Sequence, residues 1–207
     1  ALAYFHLTKP RVIELLLVTT LPAMILADGK MPSIGLIVTV LVGGALAAGG
    51  ANTINCWIER DRDQIMRRTA HRPLPHGDVK PEGALVFGLV LEALAFALLW
   101  STVNLLSASL AVSAMLFYVF VYTLWLKRTS RQNIVIGGAA GAVPVLVGWA
   151  SVRNSVGWAP VVLFALMFLW TPPHFWALAI RYREDYRSVG VPMMPVVSSF
   201  KKTSAQI

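Results

Sequence analysis

Six apolar runs, at roughly residues 11–27, 33–56, 82–103, 106–126, 134–152 and 158–180, constrain this chain more than any other feature, because each is nearly free of charge. Each is about 18 residues or longer, enough for a helix to cross a hydrocarbon core of about 30 Å. The runs are continuous rather than alternating, which satisfies the backbone within helices and argues against a β-barrel. Composition agrees: the 207 residues are 57% hydrophobic and 14% charged, where ordinary soluble domains are about one quarter charged. These observations predict an all-α integral membrane protein with six transmembrane helices in a single domain covering 1–207.

The net charge of +8 is distributed by side. When lysines and arginines are assigned to alternate sides of the six spans, sixteen of the eighteen fall on one side, leaving Lys30 and Arg153 on the other. By the positive-inside rule the N-terminus and the loop at 57–81 are cytoplasmic, and the basicity is topology rather than a footprint for nucleic acid. The sole cysteine, Cys56, excludes an internal disulfide and a thiol-only metal cluster. No Met begins the chain and no signal-peptide pattern precedes Lys9, so a fragment of a longer protein is expected.

The second run ends in "NCWIERDRDQIMRRTAHRPLPHG" (55–77), which gathers three acids and five arginines. On a helix, Asn52, Asn55, Glu59 and Asp63 stand at i, i+3, i+7 and i+11 and line one face, with Asp61 off it but within reach of a frayed end. Two readings stay open for this face. Clustered carboxylate and amide oxygens suit a hard cation such as Mg²⁺, which is usually shared with substrate phosphates. Alternatively, the acids pair with Arg60, Arg62, Arg67 and Arg68 at a solvated helix end, and such surface pairs contribute little.

Helices two, four and six each run out into charge on the same side, as "IERDRD", "LKRTSR" and "RYREDY". Helix C-termini repel phosphate, so a phosphate site there needs added bases. Lys127 and Arg128, with Arg67, Arg68 and Arg72, supply them; taken alone, Lys127 and Arg128 also read as a plain membrane anchor. Glu184 and Asp185 add a second acidic element, and together these describe a metal–diphosphate site at a membrane face.

"NCWIERDRDQIMRRTAHRPL" (55–74) resembles the first aspartate-rich motif of the UbiA superfamily of intramembrane prenyltransferases, in which an Asn is followed by acids four and eight residues on. Asp61, Met66, Arg68-Thr69 and Arg72-Pro73-Leu74 resemble its protoheme IX farnesyltransferase (haem O synthase) branch. So do "YTLWLKRTSRQNIVIGGAAGAVPVLVGWA" (122–150), "FLWTPPHFWALAI" (168–180) and "REDYRSVGVPMMPVV" (183–197). Two departures stand out: Glu59 replaces the usual Asp, and the second motif lacks a paired Asp, with Arg181 and Val189 four residues either side of Asp185.

The resemblance implies nine helices, of which this chain would supply six. It implies Mg²⁺ on Asn55, Glu59, Asp63 and Asp185, with Lys127 and Arg128 neutralising the diphosphate of farnesyl diphosphate. Asn52, Asp61, Arg67, Arg68, Arg72, Tyr118, Tyr122, His174, Trp176 and Tyr186 are the expected substrate-binding residues. The implied reaction joins the farnesyl group to a vinyl group of haem B with addition of water, giving haem O. A quinone-precursor prenyltransferase and a non-enzymatic haem-handling membrane protein are the alternatives. Expected partners are farnesyl diphosphate, haem B, the lipid bilayer and a downstream haem-modifying enzyme; the expected location is a bacterial plasma membrane.

Several residues carry two readings. His174 follows Pro172 and Pro173, a pair expected to kink helix six, and is either a haem-iron ligand or a hydrogen-bonded core histidine. Rings at Tyr118, Tyr122, Trp57 or Trp176 either steady an allylic cation or pack. The runs "GGALAAGGAN" and "GGAAGA" signal close helix packing or space for an isoprenoid tail. Glu14 and Glu92 lie inside spans, where an ionised group costs on the order of 2.5–3.5 kcal/mol; Glu14 can pair with Arg11, and Glu92 has no assigned role.

Overall fold

A computed structural model describes residues 1–205, and every regular element among them is helical. Six helical segments are long and apolar enough to cross a membrane: Pro10–Asp28, Ile34–Ile65, Pro81–Thr102, Leu105–Thr129, Asn133–Arg153 and Trp158–Arg181. They are called the first to sixth spans in chain order. Polar caps divide them: Ser33 accepts a hydrogen bond from the Leu36 N–H and Asn104 from the Ser107 N–H, while Gly29, with φ 73°, closes the first span.

Three spans depart from plain α-helix or from expectation. The first loosens at Val18–Thr19 because Pro22 has no N–H to return to the Val18 carbonyl. The fourth changes from α-helix over Leu105–Leu116 to π-helix over Phe117–Leu126, which no sequence period announces. The sixth is helical throughout, Pro172 and Pro173 included, so the kink expected there does not break the helix.

Small residues set the closest approaches. A Cβ on Gly50 would lie 2.8 Å from the Gly88 carbonyl oxygen, and one on Gly148 would lie 2.5 Å from the Thr20 carbonyl oxygen. Backbone therefore touches backbone between the second and third spans and between the first and fifth, the close packing expected of the glycine runs. The apolar core around Met24, Val40, Leu99, Ala108 and Val147 joins the first five spans. A second cluster, Met66, Ile134, Ala179, Tyr186, Val191 and Met193, ties the loop after the second span to the end of the sixth. The second span has 32 residues, or about 48 Å, so its acidic end stands beyond the hydrocarbon core.

Candidate active site at the charged helix ends

The second span stays helical to Ile65, so the repeat of about 3.6 residues per turn is kept through the whole acidic stretch. Asn52, Asn55, Glu59 and Asp63 are all buried on one face, between 3% and 5% exposed. Asp61, two positions from both acids, falls on the far side; its side chain is 81% exposed and pairs with Arg60 at 3.7 Å. The frayed-end contribution expected of Asp61 is therefore not what the fold provides.

Each buried oxygen-bearing side chain on this face below Asn52 meets a base brought by another segment. Lys9 Nζ donates to Asn55 Oδ1 at 2.9 Å. Lys127 Nζ donates to Glu59 Oε2 across 68 residues of sequence, and Arg72 Nη1 donates to Asp63 Oδ2 at 2.7 Å. Asn52 Nδ2 is taken up by the Thr8 carbonyl at 2.9 Å, which fixes the approach of the N-terminal segment. The acids are thus not a solvated helix end; Glu59 and Asp63 pair with bases from two other parts of the chain, and Lys9 from a third meets the Asn55 amide.

Lys9 and Thr123 were not among the expected site residues. Lys9 adopts a left-handed backbone, φ 56° and ψ 65°, immediately before Pro10. A lysine there costs about 1–2 kcal/mol of backbone strain, and the turn delivers its ammonium under Asn55. Burial, with help from nearby Arg72 and Lys127, lowers the Lys9 pKa below its ordinary value. For Arg72, burial works in the same direction, but the Asp63 carboxylate outweighs it and holds the guanidinium pKa above its ordinary value. The "TKP" triplet at the mouth of the first span was the available signal for Lys9, and topology alone had accounted for it. Thr123 is fully buried on the π-helix and accepts from Asn55 Nδ2 at 3.1 Å.

The three charged helix ends do meet. The Arg68 backbone N–H donates to Asp185 Oδ2 at 3.2 Å, and the Arg68 guanidinium lies 5.0 Å from the Tyr182 ring centroid and 6.0 Å from that of buried Tyr186. The Thr69 hydroxyl donates to the Asp63 carbonyl at 3.0 Å, so the loop folds back on the acidic helix. Asp185 is a loop anchor in this arrangement. Among the described residues no group of three His, Cys, Asp or Glu side chains is gathered as a metal cluster.

Other expectations divide. Tyr118 and Tyr122 stack with centroids 5.5 Å apart and planes at 22°. Tyr118 is close enough to Arg72 to bear on its charge. Trp176 is buried, but Arg67 and Arg128 are exposed. His174 is exposed and stacks on Trp170 at 4.5 Å. It is not a core histidine in this fold, because it stands two residues, or about 200° around the helix axis, from buried Trp176 on the sixth span.

The donor set fits a hard cation. It offers an amide oxygen from Asn55 and the carboxylates of Glu59 and Asp63, and Glu59 Oε1 is buried with no hydrogen-bond partner, with Arg62 Nη1 3.8 Å away. The surrounding lysines and arginine match phosphate oxygens.

The family model described as the UbiA prenyltransferase family matches residues 16–207. A protein of Kineococcus radiotolerans named protoheme IX farnesyltransferase is 57% identical over 207 residues, covering all of this chain and 61% of that protein. One of the same name from Mycobacteroides abscessus is 57% identical over 206 residues, covering 66% of its own length. The chain therefore spans about two thirds or less of these relatives. Among solved structures, a UbiA homologue from Archaeoglobus fulgidus bound to GPP and Mg²⁺ superposes with a TM-score of 0.80 at 18% identity, covering 97% of this chain and 71% of that one. A second structure, of digeranylgeranylglyceryl phosphate synthase, gives 0.73 at 21% identity. The fold, its six apolar helices and these matches together make the chain a multi-pass integral membrane protein, and it belongs to the UbiA prenyltransferase family.

Proposed function

We propose that this chain forms the prenyl-diphosphate half of a protoheme IX farnesyltransferase. Farnesyl diphosphate, haem B and water would be converted to haem O and diphosphate. The observation that carries the transferase reading is the buried row of Asn55, Glu59 and Asp63 with a base on each. Haem as acceptor rests on identity of 55–57% with proteins of that name. The basic asymmetry of the loops supports a site on the cytoplasmic face of its membrane, which we read as a bacterial plasma membrane.

Asn55, Glu59 and Asp63 would hold Mg²⁺, with Asp185 at the neighbouring loop as the second acidic element. The ion supplies Lewis-acid stabilisation of the departing diphosphate. Lys9, Lys127 and Arg72 supply the rest of the charge: they bind the diphosphate oxygens and stabilise them as the C–O bond of the allylic ester ionises. Their burial makes each worth more than it would be in water. The stacked Tyr118–Tyr122 faces steady the allylic cation while the apolar span walls exclude water from it. The cation is then attacked by a vinyl carbon of haem B, and water adds to the resulting porphyrin-side cation with loss of a proton.

The test is prenyl transfer by purified protein, both as this chain and extended with the C-terminal third of a relative. It is given farnesyl diphosphate, haem B and Mg²⁺, with porphyrins separated chromatographically. A Mg²⁺-dependent haem O peak, absent with Asp63→Ala or EDTA, is the expected result. Transfer to 4-hydroxybenzoate but never to haem would overturn the acceptor, and no transfer by folded, extended protein would overturn the reaction.

A further inference from the structure

The Asn55 side chain is useful to a cation only if its oxygen, and not its NH₂ group, faces the acids. Nothing in an amide's shape decides this, since the two ends are nearly the same size. Here two neighbours decide it. On one side stands Lys9 Nζ, which has donors only and meets Oδ1 at 2.9 Å. On the other stands the Thr123 hydroxyl, 3.1 Å from Nδ2.

A hydroxyl can ordinarily donate or accept, but this one is committed. Its single proton goes to the Tyr118 carbonyl at 2.8 Å, five residues back along the π-helix. Thr123 Oγ1 can then only accept, so it accepts the N–H of the amide nitrogen and turns the amide oxygen to the Lys9 side, where the Asp63 carboxylate also acts on the ammonium. Flipping the amide would set NH₂ against the Lys9 ammonium and leave Thr123 facing an oxygen with no proton to offer it. Asn55, Thr123 and the fold around them exclude water, with Thr123 fully buried and Asn55 4% exposed, so solvent cannot repair the mismatch.

We infer that Thr123 is a positioning residue that locks the Asn55 amide with its oxygen toward the Glu59–Asp63 cation site, and that the π-turn at Tyr118–Thr123 exists to hold that hydroxyl in its acceptor state. Lys9 favours the same orientation, but it is also a base that phosphate oxygens compete for. Thr123 keeps the amide in place when Lys9 turns to the diphosphate. The inference rests on the metal–diphosphate reading above and concerns how that site is kept in register.

The experiment measures Mn²⁺ binding, as a paramagnetic stand-in for Mg²⁺, by electron paramagnetic resonance on the protein in lipid nanodiscs with inorganic diphosphate present. The variants are Thr123→Val, which keeps the shape and loses the acceptor, Thr123→Ser, which keeps the acceptor, Asn55→Ala, and the double variant Asn55→Ala/Thr123→Val. Thr123→Val is expected to weaken binding about 10- to 100-fold, the usual effect of removing a group that orients a ligand. Thr123→Ser should bind as wild type, and Thr123→Val should add nothing once Asn55 is Ala, because the hydroxyl acts through that amide. In prenyl transfer, Thr123→Val should raise the Mg²⁺ requirement while kcat at saturating Mg²⁺ stays within a few-fold. If Asn55→Ala weakens binding and Thr123→Val does not, the lock is wrong and the metal reading stands. Wild-type binding by Asn55→Ala would overturn the metal reading of that residue and the lock with it. Equal losses in Thr123→Val and Thr123→Ser, or additive losses in the double variant, would assign Thr123 to packing and overturn the inference.

Discussion

Asp63→Asn removes one charge from a pair that is mostly out of water. The Asp63 side chain is 4% exposed, that of Arg72 25%, and the contact is 2.7 Å. With charge centres about 4 Å apart and an effective dielectric of about 20, the attraction is about 4 kcal/mol. Breaking a buried pair by removing one partner costs about 3–5 kcal/mol, because the other charge is left uncompensated. The quarter exposure of Arg72 puts this case at the low end, about 3 kcal/mol. Nearby Lys9 works in the same direction, since its own pKa is already lowered by Arg72 as well as by burial. Adding Arg72→Met removes the stranded charge while keeping most of the apolar stem, so the double variant should recover at least about half of the loss. The assay is reversible unfolding in mixed detergent–dodecyl sulfate micelles, followed by tryptophan fluorescence. A loss under about 0.5 kcal/mol for Asp63→Asn, the size of an ordinary surface change, would refute the buried-pair reading. So would a double variant whose loss is the plain sum of the singles.

Three further outcomes are expected. Gly148→Ala places a Cβ 2.5 Å from the Thr20 carbonyl oxygen and should lower unfolding stability by about 1–3 kcal/mol, whereas Gly141→Ala, whose Cβ would meet only Leu16 Cδ2 at 3.9 Å, should be neutral in the same assay. Lys127→Ala should lower kcat/KM for prenyl transfer at least about 100-fold, while Arg128→Ala, at an exposed position, should change it by less than about threefold; equal effects would remove the distinction drawn between these neighbours. Lys9 has a folded pKa below its ordinary 10.5, so between the two values the unfolded chain holds a proton that the folded chain releases. Its contribution to stability therefore rises with pH across that window and levels off above about 10.5. Subtracting the pH profile of Lys9→Met from that of wild type should leave a positive slope there, and a flat or negative difference would contradict the burial of this ammonium.

Much of the site was legible because a helix repeats about every 3.6 residues whatever surrounds it. The spacing of Asn52, Asn55, Glu59 and Asp63 sufficed to put them on one face, and the structure buries all four. The same geometry turns Asp61 outward, yet the allowance for a frayed end kept it in the expected set; the helix does not fray there, because the loop is pinned back through Thr69 and Arg68. Arg128 could not be told from Lys127 by sequence, since adjacent residues share charge and differ only in direction about the helix axis.

Six helical spans, the side on which their charge collects and the acidic face of the second span were all readable from the order of residues. These follow from local quantities, namely run length, hydropathy and period. Which base meets which oxygen came from the packing of the helices. Lys9 reaches Asn55 across 46 residues and Lys127 reaches Glu59 across 68, and distances of that kind depend on how helices pack through their glycines. That packing also decided that His174 faces outward, that Asp185 anchors a loop, and that a π-turn carries Thr123 to Asn55. A hydroxyl's role as donor or acceptor is set by the groups around it, and those groups come together only when the chain has folded.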